Sequence, residues 1–187
     1  MTEYEQNRRE ALAVQSAADL LYSESDLIPV YDRLAAEITE TLADSNPVIV
    51  SVMLGAIVPT AEIIKRLGFP LEMDYLHATR YQGETAGGEL IWKVSPGYPL
   101  KDRDVLVIDD ILDEGPTLAA ILESIKAQGP NRVLTAVLVQ KMHDRRPAHI
   151  KPDFVGVEAE DRYLFGCGMD YKGYLRQLPA IYAVKNS

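Results

Sequence analysis

Four consecutive residues, Val105-Leu106-Val107-Ile108, are apolar without a break. A strand with one wet face alternates apolar and polar residues, so an unbroken run belongs inside a parallel sheet covered on both faces. Val48-Ile49-Val50-Ser51-Val52-Met53 and the stretch from Val133 to Val139 have the same character. Residues 71–78 read as another strand, and Ile91 to Val94 as a short one. Helical patterns lie between them. Leu27, Tyr31, Leu34, Ile38 and Leu42 recur at helical spacing, after a Ser25 or Asp26 that can cap the helix. A helix with Pro59 in its first turn follows Leu54-Gly55-Ala56, and Gly68-Phe69-Pro70 breaks it. Leu118, Ile121, Leu122 and Ile125 give the next helix one apolar face, which Gly129-Pro130 ends. Residues 5–22 read as a first helix. Strands alternating with helices predict an α/β fold with a central parallel sheet flanked by helices, and ligands at the carboxyl ends of its strands.

The 187 residues suit a single domain, 1–187, with no repeat or linker. A net charge of −9 repels nucleic acid and anionic membranes, which leaves small molecules as the expected partners. No apolar run approaches the roughly 18 residues of a membrane helix, and the first residues lack the pattern of a secretory signal. The one cysteine, Cys167, excludes an internal disulfide and fits a reducing cytoplasm.

The chemistry concentrates in Asp109-Asp110-Ile111-Leu112-Asp113-Glu114-Gly115-Pro116-Thr117, directly after the apolar strand. A strand, a short glycine-containing turn and a helix amino terminus make a phosphate cradle, because free N–H groups and the helix dipole point at the anion. Paired carboxylates beside a phosphate would repel it, unless they hold ribose hydroxyls or a Mg²⁺ ion. Two acidic residues at a strand end also occur in many other α/β proteins, including phospho-acceptor pockets.

The whole segment resembles the phosphoribosyl pyrophosphate motif of the type I phosphoribosyltransferases, two acidic residues followed by Asp-x-Gly-x-Thr. The likeness continues through Lys141, Lys151-Pro152-Asp153-Phe154-Val155-Gly156, Asp161-Arg162-Tyr163-Leu164-Phe165-Gly166, Met169-Asp170-Tyr171 and Tyr174-Leu175-Arg176. That order is similar to the hypoxanthine-guanine branch and spans about residues 25–185. The resemblance implies that domain with a small hood from the chain ends, Mg²⁺ as cofactor, and a homodimer or homotetramer. It also implies conversion of hypoxanthine and guanine, with phosphoribosyl pyrophosphate, to IMP and GMP. A xanthine-preferring enzyme and a phosphoribosyl pyrophosphate-sensing regulator share the fold and stand as alternatives.

Residue by residue, the resemblance assigns Asp109 and Asp110 to the ribose hydroxyls, directly or through Mg²⁺. Asp113 falls near purine N7 as general base or hydrogen-bond acceptor, and Glu114, Gly115 and Thr117 fall in the 5-phosphate loop. Lys141 is matched to O6 of the base, Tyr163 to stacking on it, and the Leu164 carbonyl to its edge. Asp170 is matched to the purine edge or a second Mg²⁺, and Arg176 to pyrophosphate. Leu54 and Gly55 correspond to the pyrophosphate loop, whose Met53-Leu54 bond is frequently cis. Arg80 and Tyr81 open a polar, glycine-rich loop, 79–89, that matches a mobile lid. Three residues depart from the pattern. Leu54 stands where Lys or a polar residue is usual, Glu114 adds negative charge beside the phosphate, and Pro116 removes an N–H.

Overall fold

The fold is a computed structural model that describes residues 2–80 and 90–186. The apolar runs become β2 (Val48–Val52) and β5 (Asp104–Leu112), parallel neighbours in register from Val48 opposite Val105 to Ser51 opposite Ile108. All five residues of β2 are buried, as are Val105 to Ile108. The one hydroxyl among them is satisfied: Ser51 Oγ lies 2.9 Å from Thr60 Oγ1. Each large apolar side chain so buried contributes about 1.5–3 kcal/mol.

Around this pair the chain adds β3 (Glu72–Arg80), β4 (Leu90–Val94), β6 (Arg132–Met142) and β7 (Phe154–Glu160). The six-stranded order is β4-β3-β2-β5-β6-β7, parallel throughout except for β4. After β2 the chain crosses through α3 (Ile57–Ile64) to β3 on one side. After β5 it crosses through α4 (Pro116–Lys126) to β6 on the other. The connections therefore diverge where β2 and β5 end, which opens a crevice there. Just beyond the last residues that pair β2 with β5, Ser51 and Ile108, lie Met53-Leu54-Gly55 and Asp109-Asp110.

Helix α2 (Glu24–Leu42) buries the face formed by Leu27, Tyr31, Leu34, Ile38 and Leu42. Its cap is Ser23, two residues before Ser25 and three before Asp26. Ser23 accepts from the Asp26 amide while the Asp26 carboxylate accepts from the Ser23 amide. The first helix, α1, also differs from expectation, running only over Glu3–Ala17. Residues Asp19–Tyr22 instead form β1, antiparallel to β9 (Ile181–Ala183). Pairing with a strand 160 residues away overrides the helical look of Leu20 and Leu21. With β8 (Leu164–Phe165), these strands make a three-stranded hood in the order β1-β9-β8. The hood has its own core of Ala11, Phe165 and Leu175. No described helix is long and apolar enough to cross a membrane.

Candidate active site

Strand β5 carries Asp109 and Asp110 to the crevice, where each carboxylate accepts the next residue's amide, at 2.9 Å in both cases. Burial pushes both carboxyls above the usual range, and for Asp109 the neighbouring Asp110 charge pushes further. The two carboxylates could hold a divalent cation. Their hard oxygen donors suit Mg²⁺.

Beyond β5 the chain turns at Gly115, which caps α4 with φ +87°. A side chain there would be strained, and its Cβ would meet Ile150 Cγ2 at 2.7 Å. Pro116 occupies the first helical position, where its missing N–H has no intrahelical acceptor in any case. Asp109, Asp113, Glu114, Gly115 and Thr117 line one cleft of about 260 Å³ at this helix start. Glu114 is exposed there, and its charge is offset by Arg145, whose Nε lies 3.0 Å from Glu114 Oε1.

A second cleft, about 250 Å³, brings together Asp110, Asp113, Lys141, Tyr163, Leu164 and Asp170. Tyr163 is half exposed, edge-on to Tyr171 at 5.5 Å between ring centres. Lys141 Nζ donates to Asp113 Oδ2 at 2.8 Å and lies 3.7 Å from Asp161. Burial alone would raise the Asp113 carboxyl, but hydrogen bonds from Lys141 and His143 outweigh it and hold that carboxyl below its ordinary value. Arg176 lies 2.6 Å from Asp170 Oδ1 and donates to the Gly168 carbonyl, also at 2.6 Å.

The loop after β2 closes the crevice. The Met53-Leu54 peptide bond is cis, and the Leu54 side chain is half exposed. Gly55 is pressed against Asp110, where an added Cβ would lie 2.0 Å from Asp110 Oδ2. A Cβ on Gly168 would in turn lie 1.9 Å from the Gly55 carbonyl oxygen. Gly55, Gly168, Asp110, Asp170 and Arg176 thus form one continuous set of contacts.

The family model of the phosphoribosyl transferase domain matches residues 19–172. The chain belongs to the phosphoribosyltransferase family. The hypoxanthine-guanine-xanthine phosphoribosyltransferase of Tritrichomonas foetus is 32% identical over 168 residues, covering 90% of this chain and 92% of that protein. The hypoxanthine-guanine phosphoribosyltransferase of Bacillus subtilis (strain 168) is 33% identical, covering 89% and 92%. A crystal structure of a hypoxanthine phosphoribosyltransferase from Staphylococcus aureus superposes with a TM-score of 0.87 at 29% identity, covering 92% of this chain and 95% of that one.

Against this phosphoribosyltransferase background, His143 and Arg145 had escaped the sequence reading, and Asp161 had entered it only as part of a motif, with no role of its own. His143 Nε2 lies 2.7 Å from Asp113 Oδ1. Arg145 binds both carboxylate oxygens of Asp161, which holds the Asp161 carboxyl down at about 2. The available signal was the run Lys141-Met142-His143-Asp144-Arg145-Arg146, dense in cations just past a buried strand. Asp113, His143 and Asp161 converge within 4.8 Å, a spacing that fits a metal ion. Lys141 and Arg145 already bring positive charge to the same carboxylates, so this trio is a poor cation site. Of the two residues expected in a lid, Arg80 ends β3, and Tyr81 with the rest of 81–89 lies outside the described residues.

Proposed function

We propose that this chain is a purine salvage transferase. It joins hypoxanthine or guanine to 5-phosphoribosyl 1-pyrophosphate, giving IMP or GMP and releasing pyrophosphate. The observation that carries the reading is Lys141 Nζ beside Asp113 Oδ2, 2.8 Å apart, in a cleft walled by Tyr163. A donor next to an acceptor complements the O6 carbonyl and N7–H of a 6-oxopurine. The ammonium has three donors, so it can serve O6 while keeping a carboxylate partner. Adenine would meet it donor to donor, and a hydrogen-bonding pocket rejects such analogues strongly.

In this reading Tyr163 stacks on the base, the Leu164 carbonyl takes its edge, and Asp109 and Asp110 hold the ribose hydroxyls. Thr117 and the amides after Gly115 take the 5-phosphate. Gly55 lets the loop backbone approach pyrophosphate, and Arg176 neutralises its charge as the bond to the anomeric carbon breaks. Purine N9 attacks that carbon through a transition state of oxocarbenium character. Asp113, with both oxygens engaged by donors and its carboxyl held low, fixes the N7–H by accepting its hydrogen bond and takes that proton as the N9–carbon bond forms and pyrophosphate leaves. Arg80 and Tyr81 belong to a lid that excludes water. Asp109, Asp110 and Asp170 would hold Mg²⁺, which neutralises the diphosphate when bound.

The test is an initial-rate panel. Hypoxanthine and guanine should react, adenine negligibly, and excess chelator should abolish turnover. Equal rates with adenine, or full activity without a divalent cation, would overturn the assignment. Xanthine belongs in the panel because the Tritrichomonas foetus relative's name includes it.

The proposal extends to a homodimer or homotetramer in the cytoplasm. Support for association comes from Ile57, Met73 and Tyr75, which are exposed around a groove of about 360 Å³, and from the exposed Leu54 next to Met53 of its lining. Light scattering at micromolar concentration should give a multiple of the 20.8 kDa chain. A monomeric mass would refute it. The single cysteine, Cys167, is buried and unpaired, in keeping with a reducing compartment.

A further inference from the structure

His143 contributes to none of the clefts that hold Asp113, Lys141 and Tyr163, yet it makes one of the shortest contacts in the site. Its side chain is only 5% exposed and lines a separate cleft with Gln140, Arg146 and Lys151. The backbone amide of Arg145 donates to its Nδ1 at 3.2 Å. An amide can only donate, so Nδ1 carries the lone pair and the proton of the neutral ring is on Nε2. That Nε2–H therefore donates to Asp113 Oδ1 at 2.7 Å.

We propose that His143 is a positioning residue, a tautomer-fixed donor that locks the Asp113 carboxylate in the orientation that meets purine N7. The proposal rests on the purine-site reading above and assigns that site a residue outside the family motif. Asp113 lies in a loop with its side chain 42% exposed, so packing alone does not hold it. Lys141 holds the other oxygen, but it is a flexible cation that also lies near Asp161 and must serve O6. With the Lys141 ammonium shared between the carboxylate and O6, His143 is the member of the clamp whose donor serves Asp113 alone.

The other charged groups around Asp113 do not replace it. Arg145 stands 3.7 Å from Asp113 Oδ1 and is committed to Glu114 and Asp161. Arg146 reaches the Asp113 carbonyl rather than its carboxylate. Loss of the His143 bond should therefore free the carboxylate to rotate. It should also raise the Asp113 titration, because a donor favouring the charged form is gone.

Two amide substitutions separate the two bonds of the ring. His143→Gln places its amide near the Nε2 edge, so it keeps a donor for Asp113 and gives up the Arg145 amide. His143→Asn places its amide near the Nδ1 edge, so it keeps the Arg145 bond and falls short of Asp113. For His143→Asn, kcat/KM for hypoxanthine should fall at least about tenfold, since misplacing a reacting group by an ångström costs up to about a hundredfold. The acid limb of its pH profile should move to higher pH, with KM for phosphoribosyl pyrophosphate changed only a few-fold. His143→Gln should stay near wild type in rate and in acid limb. The reverse order, equal loss in both variants, or wild-type behaviour in His143→Asn would overturn the proposal.

Carboxyl NMR of the Asp113 titration supplies a readout that does not depend on turnover. It should rise in His143→Asn and stay low in His143→Gln. A titration unmoved in His143→Asn sinks the clamp. Absence of hypoxanthine turnover in the wild type would sink the purine reading separately.

Discussion

Replacing Gly55 with Ala should lower kcat/KM for phosphoribosyl pyrophosphate by about a hundredfold or more. The added methyl carbon would sit 2.0 Å from Asp110 Oδ2 and 2.4 Å from its Cγ, so the loop and the carboxylate cannot both keep their places. The loop cannot simply retreat, because Gly168 already touches the Gly55 carbonyl from behind. One move displaces the pyrophosphate loop and the other displaces a carboxylate assigned to ribose and metal. Either hits the same substrate. Overpacking of this kind costs about 1–3 kcal/mol in stability, a few degrees in melting temperature for a domain of this size. The variant should therefore remain folded while its activity collapses. Gly68→Ala is the matched control, since a Cβ there meets nothing within 4 Å. Steady-state kinetics with each substrate varied would decide it, and a wild-type KM for phosphoribosyl pyrophosphate in Gly55→Ala would count against the pyrophosphate-loop assignment.

Asp113→Asn should slow single-turnover chemistry by at least about tenfold, at the low end of what a positioned base supplies. The low end follows from the carboxylate's two strong donors, which make it a better acceptor than base. The amide also creates a conflict that the carboxylate avoids. Its NH₂ must face either Lys141 or His143, donor against donor, and an unsatisfied donor costs about 1–3 kcal/mol. Affinity for phosphoribosyl pyrophosphate should hold within a few-fold. The pH profile adds a signed check. Asp113 titrates below its ordinary value, so in the wild type its contribution is present above that point and lost as pH falls through it. That acid limb should vanish in Asp113→Asn. Unchanged single-turnover rates would reduce Asp113 to a carboxylate that complements the start of α4.

The parts of this protein that were legible in sequence are those set by local pattern. Val105 to Ile108 could only be a covered strand, and the five apolar residues of α2 all turn inward as their spacing requires. The Asp109 to Thr117 segment declares a strand, a turn and a helix start within nine residues, so its geometry is nearly self-contained. What escaped was decided at long range. The residues 19–22 look helical in isolation and become a strand through β9, at the other end of the chain. His143 and Arg145 gain their meaning from Asp113, Glu114 and Asp161, none of which is a sequence neighbour. Glu114 looked like a liability in the phosphate loop because its compensating cation lies 31 residues away.

Helix α1 lies ahead of the family-matched segment, yet it grips the loop beyond Asp170. Glu10 accepts from the Tyr171 hydroxyl at 2.7 Å and from Lys172 at 2.6 Å, while Ala11 packs into the hood core beside Phe165 and Leu175. Tyr171 in turn stands edge-on to Tyr163, in the cleft proposed for the purine. The helix is thus an outrigger: it braces the rim of the pocket through Tyr171 and Lys172. Sequence drift in those fifteen residues can stiffen or slacken the base site while every side chain in the cleft stays the same. For a lineage adapting its turnover to temperature, that is an adjustment screw mounted outside the engine.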